Sequence, residues 1–269
     1  AAGQRKAAFD ILEETTRFFE TSLRADEGRN AAHYIKQRGL DAATVKNFRL
    51  GYAPRSGLQA VLTGKGFSDE DMVVAGVLGK SDRDGRLYNY FRDRVIFPIE
   101  NRQGKVIGFG ARALGDAQPK YLNSGDSPTF SKKAVLYGWV QAREALRRKL
   151  PLVVVEGYMD VIAVQRSGIA AAVAPLGTAL TSEQIALLWK LHDEPILCFD
   201  GDAAGQKAQL RALERILQLL EPGRSVRFSM LPAGKDPDDV LGESGPEGLR
   251  KILGSARALV DVMWTTTLA

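Results

Sequence analysis

The sequence predicts an α/β protein. Its second half reads as a mostly parallel sheet with flanking helices, preceded by a mixed α/β subdomain and followed by short C-terminal helices. Three observations carry this. From Leu152 onward, short β-prone apolar runs alternate with amphipathic helical stretches, the pattern of a parallel sheet. Upstream, two β-prone runs flank the polar turn Asn101–Gly104, the pattern of a hairpin. Finally, acidic clusters follow three of the apolar runs, where a parallel sheet gathers its ligands at the carboxyl edge.

Taken in order, Phe9, Leu12, Thr16, Phe19 and Leu23 recur at helical spacing and open the chain with an amphipathic helix. A second helix is expected over 28–38, stopped at Gly39. Residues 48–67 are rich in Gly and Pro and read as turns. The hairpin strands are 94–99 and 106–114, and a basic helix over 139–149 is halted by Pro151. Strands at 152–155, 170–173, 196–199 and 226–231 then alternate with helices at 158–167, 181–192 and 203–220. Thr181 and Gln184 have capping-box spacing after a loop at 175–178. Leu210, Leu213, Ile216, Leu217 and Leu220 are expected to cover the sheet, and one or two helices fill 244–264. The expected domains are 1–148, 149–242 and 243–269.

At 269 residues the chain can bury a sizeable core, and 45% hydrophobic with 26% charged content is that of a globular protein. No apolar run approaches the ~20 residues of a bilayer span, so no membrane partner is expected and the chain reads as cytoplasmic. One Cys and two His build neither a disulfide framework nor a structural zinc site, so no zinc is expected. Lys and Arg outnumber Asp and Glu by 26 to 17 over residues 1–150 and are outnumbered 11 to 15 over 151–269. A basic half joined to an acidic half fits a polyanion-binding surface feeding a metal site.

The acidic clusters are Glu156-Gly157-Tyr158-Met159-Asp160, Asp200-Gly201-Asp202 and Asp236-Pro237-Asp238-Asp239. Each has a plainer reading: Asp202 suits a helix N-cap, Glu156 and Asp160 complement a helix dipole, and 236–239 suits a solvated turn. Together at one sheet edge they would repel unless cations lie between them. Oxygen ligands without His or Cys select Mg²⁺ or Mn²⁺. Lys235 is expected to neutralise its acidic neighbours.

The motifs E-G-Y-M-D at 156–160, D-G-D-x-A-G at 200–205 and D-P-D-D at 236–239 resemble the Toprim domain of bacterial DnaG-type primases. The likeness extends through R-D-R-V-I-F-P-I (92–99), G-F-G-A-R (108–112), P-K-Y-L-N-S (119–124) and L-Y-G (136–138). It implies a DNA-directed RNA polymerase core of replication, a nucleotidyltransferase making short RNA primers from ribonucleoside triphosphates on single-stranded DNA. Carried over by motif position, Glu156, Asp200 and Asp202 are catalytic. Glu156, Asp160, Asp200, Asp202, Asp236 and Asp238 hold two or more Mg²⁺ or Mn²⁺ ions. Arg112, Lys120, Tyr121, Asn123 and Lys132 match the family's template-binding positions, and the primer–template hybrid is a further partner. Cations interleaved with an aromatic and an amide suit sequence-tolerant single-strand binding. Strand alternation adds a face of Gly108, Gly110 and Arg112 that another backbone could approach.

Family members also carry a zinc-binding domain and a helicase-binding domain, which this sequence does not match. Contacts with the replicative helicase are therefore expected only through regions absent here. The chain is expected to act as a monomeric fragment with low template specificity. A Toprim nuclease or strand-passing enzyme would use the same metals for cleavage. A non-catalytic single-strand-binding module would use them structurally.

Overall fold

The computed structural model describes residues 2–177 and 179–267, so Thr178 of the expected 175–178 loop lies outside the described residues. The chain forms two compact units, residues 1–131 and 132–269.

In the first unit, α1 (Ala2–Arg24) buries Leu12, Thr16, Phe19 and Leu23 as the spacing predicts and adds Ala8 and Ile11 to the stripe, whereas Phe9 is only half-buried. It is followed by α2 (Arg29–Gln37), α3 (Ala42–Asn47), β1 (Gly51–Ala53), α4 (Leu58–Gly64), α5 (Asp69–Val74), β2 (Leu78–Lys80) and β3 (Leu87–Asn89). The expected hairpin is β4 (Arg94–Glu100) and β5 (Val106–Ala113), extended by β6 (Tyr121–Asn123). The antiparallel sheet runs β1-β4-β5-β6, and β2 pairs β3 separately. Phe109 meets Phe19 and Phe91 edge-on, with ring centroids 5.5 and 5.9 Å away. Residues 48–67 are more structured than their composition suggests, because β1 is wholly buried against β4 and α4 buries Leu58 and Leu62. A three-residue strand and a two-turn helix are too short to show a period.

The second unit contains α6 (Trp139–Arg147), β7 (Leu152–Val154), α7 (Tyr158–Ser167), β8 (Ala171–Val173), α8 (Ser182–Leu191) and β9 (Ile196–Gly201). It continues through α9 (Ala203–Leu217), β10 (Arg227–Ala233), α10 (Pro237–Gly254), β11 (Arg257–Ala258) and α11 (Leu259–Thr267). The sheet order is β11-β10-β9-β7-β8, parallel except at β11. Residues 132–148, expected with the first subdomain, belong to this unit. Tyr137 exchanges backbone hydrogen bonds with Ala174 (2.8 and 3.2 Å), and α6 then packs on β8.

One sheet face presents Leu152, Val154, Leu197 and Phe228 to residues of α6, α8, α9 and α11. Alternation turns Val153, Cys198 and Ser229 to the other face. There the Ser229 hydroxyl donates to the Ile252 carbonyl of α10 (3.4 Å), and α7 packs on α10. α9 meets its sheet through Ala212, Leu213 and Ile216. Leu210, Leu217 and Leu220 are 43, 39 and 43% exposed, so they do not cover the sheet as expected. Small Ala212 brings the helix close on a stripe that counting leucines alone misses.

Candidate active site

Each acidic motif sits at the carboxyl end of a parallel strand in the second unit. Glu156 and Asp160 follow β7. Asp200 is within the end of β9, and Asp202 caps α9. Asp236 and Asp238 lie where β10 gives way to α10. Asp160 is buried at the third position of α7 and accepts the Gly157 N–H at 2.9 Å. The Asp200 N–H donates to Glu156 Oε1 at 3.3 Å, joining the first two motifs. Asp202 accepts the Gly205 N–H at 2.7 Å. Asp236 and Asp239 form a reciprocal capping box with Pro237 at the first helical position. The plainer reading of Asp202 as an N-cap thus holds in the structure. Asp160 instead closes the capping-box bond back to Gly157 at the start of α7, and 236–239 opens α10 rather than forming a solvated turn. These caps fix each carboxylate at the sheet edge.

Two glycines make this edge compact. A Cβ on Gly201 would lie 2.0 Å from the Pro232 carbonyl oxygen, and one on Gly205 would lie 2.1 Å from that of Asp200. The β9–β10 ladder shifts register between Met230 and Ala233, which turns the Leu231 and Pro232 carbonyls towards Gly201. Backbone bonds from Gly201 to Lys235 (3.4 Å) and from Gly234 to Gly201 (3.3 Å) then place the third motif beside the second. Gly201→Ala is expected to destabilise the chain by about 2–3 kcal/mol, because backbone rather than a flexible side chain must yield. Thermal melting checks this, and an unchanged melting temperature would contradict it.

The carboxylates act on one another. Burial, followed by the charges of Asp236 and Asp200, pushes the Asp160 carboxyl up to about 8. Burial, followed by Glu156, Asp236 and Asp202, pushes Asp200 up to about 7. Below this edge burial, then Asp200, pushes the Cys198 thiol up to about 12, as befits a small buried hydrophobe. Lys235 gives its ammonium to Glu243, and among the acidic cluster it also feels the charge of Asp239.

Among the described residues no three Asp, Glu, His or Cys side chains already converge to hold an ion. The donor set nevertheless fits a hard divalent cation. It is all oxygen, and Asp200 Oδ1 is buried without a hydrogen-bond partner. A buried acceptor of that kind calls for a partner of its own.

The basic residues divide between the units. In the first, Arg112 faces Tyr121 across β5–β6, and Asn123 faces Gly110. The Arg112 guanidinium lies 4.2 Å from the centre of the Tyr34 ring and donates to the Ala113 carbonyl at 3.0 Å. Lys120 is exposed beside the Tyr121 ring, which is itself 43% exposed. The glycine face of β5 is closed at Gly108, where a Cβ would lie 3.1 Å from Phe130 and 3.2 Å from Ser124, so no outside backbone enters there. Lys132 begins the second unit, on a 3-10 turn over Lys132–Ala134.

Residues 18–143 match the family model described as the DNA primase catalytic core, N-terminal domain, and residues 151–229 match the Toprim domain. A solved DnaG primase catalytic domain bound to single-stranded DNA superimposes with a TM-score of 0.90 at 38% identity, covering 99% of this chain and 84% of that one. The chain belongs to the DnaG primase catalytic-core family. A DNA primase domain from Pseudomonas aeruginosa gives a TM-score of 0.90 at 41% identity, over 96% of this chain and 82% of that one. The DNA primase of Pasteurella multocida is 40% identical over 265 residues, which are 97% of this chain and 45% of that protein. That of P. aeruginosa is 42% identical over 257 residues, 94% of this chain and 39% of that protein. The chain therefore spans less than half the length of these curated relatives. Toprim domains and primase cores use divalent metal ions. No helix among the described residues is long and apolar enough to cross a membrane.

Three residues around these family motifs do more than the sequence reading gave them. Asp239 was named only as a member of its cluster, Arg94 only at the start of a hairpin strand, and Tyr34 was missed. Asp239 adds its charge to Asp200. Tyr34, on α2, carries the Arg112 guanidinium and, at 5.6 Å, that of Arg38. Arg94 is 7% exposed and donates to the Pro119 and Lys120 carbonyls at 2.8 and 3.4 Å, supporting the loop that carries Lys120. The Tyr34–Arg38 spacing was visible, but their partner Arg112 lies on a distant strand.

Proposed function

We propose that this chain is a polymerising primase core, joining ribonucleoside triphosphates into short RNA on a single-stranded DNA template. The observation that carries the reading is the strand-end set of Asp160, Asp200 and Asp236, where burial, followed by the charges of Asp236 and Asp200, raises the Asp160 carboxyl to about 8. In the reaction the primer 3′-hydroxyl loses its proton and attacks the α-phosphorus of the incoming nucleotide, and pyrophosphate leaves. Glu156, Asp160, Asp200, Asp202, Asp236 and Asp238 would hold two or more Mg²⁺ or Mn²⁺ ions. Such ions, when bound, supply Lewis-acid activation of the hydroxyl and neutralise the leaving pyrophosphate. Glu156, exposed and tied to the Asp200 N–H, serves as ligand or proton acceptor.

Arg112, Lys120, Tyr121 and Asn123 on the first unit and Lys132 on the second contact the template and its hybrid with the primer. The solved relative with bound single-stranded DNA supports this reading. The same reading places the protein in the cytoplasm. Incubating the chain with labelled ribonucleotides, single-stranded DNA and Mg²⁺ or Mn²⁺ is expected to yield short, metal-dependent RNA products. Template cleavage in place of synthesis would move the assignment to a Toprim nuclease.

A further inference from the structure

Gln184 is wholly buried, with 0% of its surface exposed, yet its side chain is polar. Its Nε2 donates to the carbonyls of Lys132 (3.0 Å) and Val135 (2.9 Å), and its Oε1 accepts the Thr181 N–H at 2.9 Å. The Thr181 hydroxyl accepts the Gln184 N–H at 3.1 Å and donates to the Lys133 carbonyl at 2.7 Å. A helix cap needs only the reciprocal bonds between Thr181 and Gln184. The three bonds to residues 132, 133 and 135 go beyond capping. A glutamate would complete the same cap, whereas donation to two carbonyls at once needs an amide.

The segment so held carries Lys132 and Lys133 and has a single 3-10 turn of its own, a conformation with poor internal hydrogen bonding. Its placement therefore depends on what grips its carbonyls. We infer that Gln184, with Thr181, is a positioning residue for nucleic-acid binding: it fixes the Lys132–Lys133 backbone so that Lys132 meets a template phosphate. This rests on the assignment of Lys132 to the template under the proposed function.

The test is binding of the full 269-residue chain to a fluorescent oligo-dT across a KCl series, compared with variants. For single strands the slope of log K against log salt falls by about 0.7 for each phosphate that the protein no longer neutralises. Lys132→Ala is expected to lower the slope by that amount and weaken binding several-fold. Gln184→Met and Thr181→Val are expected to do the same, and adding Lys132→Ala to either should lower it no further. Thr181→Ser keeps the hydroxyl and is expected to keep the wild-type slope. Gln184 is buried and neutral and meets no phosphate itself. The double variants with Lys132→Ala separate a slope change that runs through that lysine from one that runs through another cation, such as Arg215, which donates to the neighbouring Leu180 carbonyl. Should Gln184→Met fail to fold, the Thr181→Val and Thr181→Ser pair decides. Wild-type slopes in the Gln184 and Thr181 variants beside a lowered slope in Lys132→Ala would overturn the inference. An unchanged slope in Lys132→Ala would overturn the template assignment beneath it as well.

Discussion

Asp200→Asn is expected to reduce ribonucleotide incorporation by about 10³-fold or more while raising the melting temperature of the metal-free chain. The activity loss follows from removing a charge that would anchor divalent ions where negative charge develops in the reaction. The gain in stability follows from the same charge. Asp200 is half-buried, is raised by Glu156, Asp236 and Asp202, and has one oxygen without a partner. Asparagine keeps the shape and removes the repulsion, a trade of stability against activity often found at such sites. A gain of about 1 kcal/mol would appear as roughly 2–4 °C in a chain of this size. The Mg²⁺-dependent rise in melting temperature should shrink in the same variant. Activity within tenfold of wild type would remove Asp200 from the centre of the site.

The second large effect is a dependence of stability on pH. Asp160 titrates near 4 in an unfolded chain and at about 8 here. A folded value raised above the unfolded one contributes stability that is complete below about pH 4 and lost as pH rises through about 8. Asp200, raised to about 7, acts in the same direction. In EDTA the melting temperature is therefore expected to fall between pH 5 and 8, with an Asp160 share on the order of a few kcal/mol. Mg²⁺ should offset the fall increasingly towards pH 8, since carboxylates must be deprotonated to ligate. Asp160→Asn should flatten the metal-free slope. A melting temperature in EDTA that is flat or rising over this window would show that the carboxylates are not coupled as the geometry requires.

Much of the candidate site was legible before any coordinates. E-G-Y-M-D, D-G-D and D-P-D-D could be read as strand-end carboxylates because each follows an apolar run and stands beside a turn-forming glycine or proline. The basic positions were legible only as a resemblance, since a Lys or Arg looks the same in a solvated loop as in a binding surface. The structure adds what supports them: the Tyr34 ring under Arg112, buried Arg94 beneath the Lys120 loop, and Gln184 beneath Lys132.

What the sequence by itself determined is the order of elements in the second half and the chemistry of its acidic edge. Hydrophobic periodicity and turn residues are local properties, written over a few neighbouring positions. Only the tertiary structure decided that residues 132–148 belong with the second unit and that Ala212, rather than Leu210, faces the sheet. It alone decided that Lys235 turns to Glu243 and that buried Asp160 bears the charges of Asp236 and Asp200. Each of these depends on which distant residues come within a few ångströms, and charge coupling and close packing fall off over that same distance.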